Sequence, residues 1–279
     1  MSDYSRPSTV SEAVAALAQG TPTIAAGCTD LFPATVAPAL AGPVLDITGI
    51  AALRGITTDA RGITLGATTT WTDVLRAPLP PAFDMLKEAA REVGSTQIQN
   101  AGTLAGNLCN ASPAADGVPP LIALDAEVAL TSTTGTRRLP LSDFLTGPRQ
   151  TARRPDELLT ALHIPSAATR GESRFLKLGA RKYLVISIAM VAARLEVTQG
   201  RITQAALAIG SCSAVATRLP ALEARLIGQR PTEIQVSDQD VAPALSPIDD
   251  IRADAAYRTH AAAELLRRAL ADLSRSAAA

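Results

Sequence analysis

The chain has 279 residues, enough for one large domain or two modest ones, and 47% of them are hydrophobic, ample for real cores. Basic and acidic residues balance at 26 each and aromatics make up only 3%, so neither a basic stripe nor a stacking platform for nucleic acid is available. The opening residues lack the apolar core of a signal peptide, and no stretch approaches the ~20 apolar residues of a membrane span. Cys28, Cys109 and Cys212 are odd in number and far apart, which gives no disulfide framework and no paired metal spacing. Together these features predict a soluble protein of a reducing compartment, the cytoplasm.

In chain order, Thr9-Val10-Ser11-Glu12 reads as a capping box ahead of a helix that Gly20 closes. Thr23 to Ala26 predicts a short buried strand. Asp30 starts a helix limited by Pro38 and Gly42, and Val44 to Ile47 is another strand. Gly62 to Ala67 predicts a strand, and a short helix follows with Thr70 as its cap. Phe83, Leu86, Ala90 and Val93 stand at helical spacing, which predicts a helix over 82–93. Beyond Asp116, strands are expected on both sides of a Thr-Gly turn near 134–135, and another ends at Pro165. Ser166 to Gly171 is small and polar, a candidate domain boundary. Strands at 174–178, 186–197 and 202–209, with a Gln199-Gly200 turn between the last two, precede helices at 217–227 and 253–273. The stretch 231–247 between those helices reads as a loop. The absence of regular βαβ repeats argues for an α+β fold.

Two segments carry the chemistry. Ile24-Ala25-Ala26-Gly27-Cys28-Thr29-Asp30-Leu31 takes an apolar run into a glycine followed by hydroxyl and carboxyl groups. Gln97 to Asp116 holds Gly102, Thr103, Gly106, Asn107, Asn110 and Ser112, with no charge before Asp116. It reads as a poor core element whose bare main chain suits an anionic ligand. Neither segment has the Gly-Lys-Ser/Thr of a P-loop or the G-x-G-x-x-G of the common dinucleotide fold. A diphosphate held by main-chain N–H groups of both segments is the chemistry that remains, with Thr29, Thr103 and Asn107 adding side-chain bonds. His163 and His260 are the only histidines and show no metal or triad pattern.

The pair A-G-C-T-D-L and G-T-L-A-G-N-L-C-N-A-S-P-A-A-D resembles the FAD-binding medium subunit of the molybdenum hydroxylases, the xanthine dehydrogenase and carbon monoxide dehydrogenase family. Residues 175–197, FLKLGARKYLVISIAMVAARLEV, resemble the opening of that family's C-terminal flavoprotein domain. The resemblance implies a PCMH-type, vanillyl-alcohol oxidase-like FAD-binding domain over 1–168, in α+β subdomains of about 1–56 and 57–168. A smaller α+β domain over 169–279 would follow. It implies that Ile24, Ala25, Ala26, Gly27, Cys28, Thr29, Asp30 and Leu31 form the first pyrophosphate loop. Thr103, Leu104, Ala105, Gly106 and Asn107 would form the second. Asp116 matches an acidic flavin-site residue, and Val93, Leu159 and Lys177 match positions near the isoalloxazine. Lys177 would stabilise negative charge on the reduced cofactor and is the candidate catalytic group. On local grounds alone, Lys177 reads as a solvated strand lysine, Val93 as a core residue and Asp116 as a turn or cap.

Two positions depart from the family pattern, since Cys28 and Ala105 stand where glycine is frequent. If either needed a positive φ, it would cost on the order of 1 kcal/mol. Cys28 and Cys109 also admit a covalent flavin link, against the plainer reading of small loop residues. The resemblance further implies an iron–sulfur small subunit with two [2Fe–2S] clusters, a molybdopterin large subunit, NAD or another electron acceptor, and assembly as a heterotrimer or a dimer of heterotrimers. A self-contained flavin oxidoreductase and a flavin-free scaffold subunit are the alternatives.

Overall fold

The computed structural model describes residues 4–37 and 39–276. Strand β1 (Tyr4–Ser5) leads into helix α1 (Val10–Gln19). The Glu12 N–H donates to Thr9 Oγ1 at 3.2 Å and the Thr9 N–H to the Glu12 carboxylate at 3.3 Å, the reciprocal cap the sequence predicts. Ala13, Val14 and Leu17 form its buried face. Strand β2 (Thr23–Ala25) and strand β3 (Val44–Asp46) join β1 in a parallel sheet with β3 at the centre.

Between β2 and β3 the predicted helix from Asp30 is replaced by turns. The Phe32 N–H reaches Cys28 O at 3.2 Å and the Ala34 N–H reaches Asp30 O at 3.1 Å, but no helix propagates. Pro33 disfavours the helical region for Phe32, which stops the ladder. Pro38, the expected limit of that helix, lies outside the described residues.

Strand β4 (Ile56–Asp59), absent from the sequence reading because its polar run shows no alternation, pairs with β5 (Gly62–Gly66). Helix α2 (Trp71–Arg76) starts on a second capping box, in which Thr70 Oγ1 accepts from the Asp73 N–H at 3.2 Å. Helix α3 (Asp84–Glu92) follows a 3-10 turn at Pro81–Phe83, within the range predicted as one helix. Short helices α4 (Thr96–Ala101), α5 (Leu104–Asn110) and α6 (Val118–Ala123) come next. Strands β6 (Glu127–Ser132) and β7 (Gly135–Pro140), helix α7 (Leu141–Phe144), strands β8 (Leu145–Gly147) and β9 (Gln150–Thr151) and strand β10 (Leu158–Pro165) complete the first part. Its main sheet is antiparallel, in the order β4-β5-β10-β6-β7.

The remainder is an antiparallel sheet of β11 (Glu172–Leu178), β12 (Ala189–Thr198), β13 (Arg201–Gly210) and β14 (Thr217–Arg218). Helices α8 (Pro220–Leu226), α9 (Asp238–Val241) and α10 (Ala255–Ser276) follow. The helix predicted over 217–227 splits because Pro220, which has no N–H to give, is suited to the first helical position, leaving Thr217 and Arg218 to pair with β13. The strand predicted from Ile186 begins only at Ala189, and α9 occupies part of the predicted 231–247 loop.

Strand β12 explains how the two parts join. Ala189, Val191, Ala193 and Leu195 pack with α8 and α10 in one core, whereas Met190 and Ala192 pack into the core of the first part. A strand buried on both faces reads as a continuous apolar run, which is what its sequence shows. Polar links reinforce the seam: Ser173 Oγ donates to Pro81 O at 2.9 Å and accepts the Met85 N–H at 3.0 Å, and Arg218 donates to Asp125 at 2.6 Å.

Two carboxylates tune the C-terminal part to pH. The Arg252 main-chain N–H, with the Arg252 and Arg258 guanidinium groups, holds Asp250 down to about 2, and Arg225 with the Ser237 N–H does the same for Asp240. A carboxyl depressed in the folded state contributes stability above its unfolded value of about 4, and that contribution is lost as pH falls through the folded value. Thermal unfolding followed at stepwise lower pH should therefore show the melting temperature dropping across this acid window. Asp250→Asn should melt lower at neutral pH and show a shallower acid decline; a decline as steep as that of the unsubstituted protein would remove Asp250 from this role.

Candidate functional site

A cavity of about 1000 Å³ opens between the β2–β3 connection, the α4–α5 region, β10 and the segment before β12. Ile24, Ala26, Gly27, Cys28, Thr29, Asp30, Leu31, Val93, Thr103, Ala105, Gly106, Asn107, Asp116 and Leu159 all line it. Three expected site residues do not. Ala25 is buried within β2 and Leu104 in the main core, while Lys177 stands behind Asp116. Trp71 and the stretch Leu184 to Ile186 also line the cavity, and sequence reasoning singled out neither.

The first segment is shaped by close approach. A Cβ on Gly27 would lie 2.0 Å from Ala101 O and 2.9 Å from Gly102 Cα, so only glycine lets the two segments touch there. Cys28 takes φ 56°, so the positive-φ cost expected for a non-glycine residue applies at this position. Among the described residues, the N–H groups of Gly27, Cys28, Thr29 and Asp30 have no main-chain acceptor. Successive unpaired donors around a left-handed residue make a concavity for anions. Cys28 Sγ donates to Ala26 O at 3.4 Å, and burial pushes its thiol up, which keeps it in the unreactive protonated form.

The second segment differs from its sequence reading. It is helical, and its main chain is not bare. The Leu104 N–H donates to Thr69 O at 3.0 Å, Ala105 to Ala67 O at 3.2 Å, Gly106 to Thr103 Oγ1 at 3.1 Å and Asn107 to Thr103 O at 3.0 Å. Leu104 and Leu108, one turn apart on α5, and Ala111 and Ala115 beyond its end are buried, apolar anchors that the intervening glycines and asparagines disguise. Ala105 sits inside α5, so no positive φ is required of it. What this segment offers a ligand is side chains, above all Asn107, whose Oδ1 is buried without a partner.

Asp116 is 8% exposed on the cavity wall and both its oxygens are taken. Lys177 Nζ donates to Oδ2 at 2.7 Å and Ser187 Oγ to Oδ1 at 2.6 Å. Burial pushes the Asp116 carboxyl above its ordinary range, opposed by the Lys177 ammonium and the Ser187 hydroxyl. Ser187 escaped the sequence reading because it sits within an apolar run that reads as strand. The cavity thus pairs the N–H groups of an anion-binding concavity with apolar walls at Val93, Leu159 and Ile186, a set that fits a ring-bearing diphosphate such as FAD. The unpartnered Asn107 Oδ1 is an acceptor suited to a ligand hydroxyl or N–H. Among the described residues, no group of three or more His, Cys, Asp or Glu is placed to hold a metal ion, and no helix is long and apolar enough to cross a membrane.

Residues 1–167 match the family described as the FAD binding domain in molybdopterin dehydrogenase, and residues 174–273 match the CO dehydrogenase flavoprotein C-terminal domain. The carbon monoxide dehydrogenase medium chain of Afipia carboxidovorans is 33% identical over 96% of this chain and 95% of that one. The nicotinate dehydrogenase FAD-subunit of Eubacterium barkeri is 39% identical over 52% of this chain and half (50%) of that one. A solved carbon monoxide dehydrogenase structure from Hydrogenophaga pseudoflava, which lacks the Mo-pyranopterin moiety of its molybdenum cofactor, superposes with a TM-score of 0.90 at 28% identity. That match covers 99% of this chain and 98% of the other. The chain belongs to the molybdopterin dehydrogenase flavoproteins, as an FAD-binding oxidoreductase subunit of the molybdenum hydroxylase family.

Proposed function

We propose that this chain carries FAD in the cavity and relays electrons from the [2Fe–2S] clusters of a small partner subunit to NAD or another acceptor, while a molybdopterin large subunit hydroxylates the organic substrate. The observation that carries this reading is the run of N–H groups at 27–30 with no main-chain acceptor, on residues that line the cavity. The cofactor supplies the redox chemistry, and the protein supplies its position and electrostatics. Residues 27–30 would hold the diphosphate, and Val93, Leu159 and Ile186 would exclude water from the ring system. Asp116 would sit beside the cofactor with its carboxylate fixed from the C-terminal part. Lys177 is then a positioning residue rather than a group that touches the ring.

The same reading divides the chain into two domains, 1–168 and 169–279, within a cytoplasmic heterotrimer or a dimer of heterotrimers. Isolation with bound flavin and two partner chains would support it; a colourless protein after gentle purification would favour a scaffold role instead.

Two substitutions test the site. Gly27→Ala pushes a methyl group into the Ala101 carbonyl, so its flavin content, read from visible absorbance after purification, should fall at least several-fold. Gly20→Ala, with nothing within 4 Å of the added atom, should keep full content. Equal occupancy in the two variants would detach the first segment from the cofactor. Lys177→Met breaks a buried pair and should lower unfolding free energy by about 3 kcal/mol, with Lys177→Met/Asp116→Asn recovering much of that loss in denaturant titrations. Additive losses in the double variant would mean that the pair is not coupled.

A further inference from the structure

The N–H groups of Leu104, Ala105, Gly106 and Asn107 are all spent within the protein, so the first turn of α5 offers a ligand no main-chain donor, unlike residues 27–30. Trp71, the sole tryptophan, lies on the α5 side of the cavity. It is 2% exposed, and it lines the cavity. Its place is fixed from both ends. A Cβ on Gly117 would fall 2.3 Å from Trp71 Cη2, and one on Gly102 would fall 3.3 Å from its Cδ1. The indole edge that bears Nε1 runs between those two atoms, so it spans the cavity floor from Gly102 to Gly117. The Gly102 end is also where Thr29 Oγ1 arrives, 3.3 Å from the same added Cβ. Asn107 Oδ1 stands at the other end, 3.0 Å from the Gly117 Cβ position.

Buried tryptophan N–H groups find a partner. Among the described residues the Trp71 Nε1–H makes no hydrogen bond although Trp71 lines the cavity, and Asn107 Oδ1 is buried with no partner. Two polar groups, one donor and one acceptor, are thus left without protein partners on residues lining the cavity that Gly27 to Asp30 also line. Resting on the FAD reading above, we infer that the Trp71 indole N–H is a diphosphate donor, replacing on this side the main-chain donors that α5 spends on Thr69, Ala67 and Thr103. Asn107 would add only the Nδ2–H groups of its carboxamide to the diphosphate, its unpartnered Oδ1 being an acceptor. The second half of the cradle is therefore built from side chains, and the glycines at 102 and 117 serve to let the indole lie flat between them.

A single tryptophan makes the test clean. Grown in a tryptophan auxotroph, the protein can take benzothienylalanine, which keeps the shape of the side chain and lacks the N–H, or fluorotryptophan, which retains it. Deflavinated samples of each, and of Trp71→Phe, are titrated with FAD and with riboflavin, following flavin fluorescence, with circular dichroism to confirm folding. The isostere should weaken FAD binding by about tenfold, the loss of one hydrogen bond to a charged acceptor, and leave riboflavin binding unchanged. Fluorotryptophan should bind FAD as the unsubstituted protein does. FAD affinity unchanged in the isostere, or riboflavin weakened equally, overturns the assignment. Failure of the unsubstituted deflavinated protein to take up FAD is a separate result, and it would count against the FAD reading itself.

Discussion

The cavity depends on one contact in which a side chain is missing. Gly27 meets the carbonyl of Ala101 where any Cβ would lie 2.0 Å from the oxygen. That contact ties the end of β2 to the α4–α5 connection, two segments far apart in sequence, at a spacing no other residue permits. Thr29 Oγ1 and Trp71 Cδ1 both close on the next residue, Gly102, each 3.3 Å from where its Cβ would stand. The width of the cradle is therefore set by main-chain atoms rather than by flexible side chains. A rigid site of this kind loses little conformational entropy when a ligand arrives.

A second constraint acts across the seam between the two parts. Asp116 brings a carboxylate to the cavity wall, and the C-terminal part supplies both of its partners, Lys177 from β11 and Ser187 from the loop before β12. A buried ion pair is weak evidence for net stability, because desolvation offsets much of the attraction. Its consequence is geometric. A charge at this depth is tolerated only where its counter-charge is delivered, so the pair favours one way of docking β11 onto the first part. The two-faced burial of β12 supplies the apolar energy for that docking, and the Asp116 cluster sets its register at the cavity. This chain builds one wall of its site from each part.

The sequence made the elements with strong local signals legible. Both capped helices, the strands around Val44 and Gly62, the β12–β13 hairpin and the two flanking pieces of the cavity were readable because Thr-x-x-Glu, Thr-x-x-Asp and apolar alternation act locally. The segment 97–116 reads as bare main chain because its glycines and asparagines mask the buried Leu104, Leu108, Ala111 and Ala115, which tie it to the core. Lys177 does not line the cavity but pairs with Asp116, which does, and that pairing is a tertiary event with no sequence signature. Ser187 and Trp71 were invisible for the same reason. One hides in an apolar run, and the other reads as the first turn of a core helix.

The two departures from the family's glycine pattern now separate on physical grounds. Ala105 lies within α5, where alanine is the best helix former and glycine would cost up to about 1 kcal/mol, so its presence steadies the helix that carries Asn107. Cys28 is the reverse case. It holds φ 56° in the first segment, where glycine would relieve strain, and it keeps that angle because Gly27 on one side and the Phe32 N–H bond to its own carbonyl on the other leave it no alternative. The strain lies in the stretch whose four successive N–H groups, at 27–30, have no main-chain acceptor among the described residues. A ligand that satisfied those donors would stabilise this conformation over any relaxed one, which gives the cradle a reason to be preformed and its strained residue a place in binding.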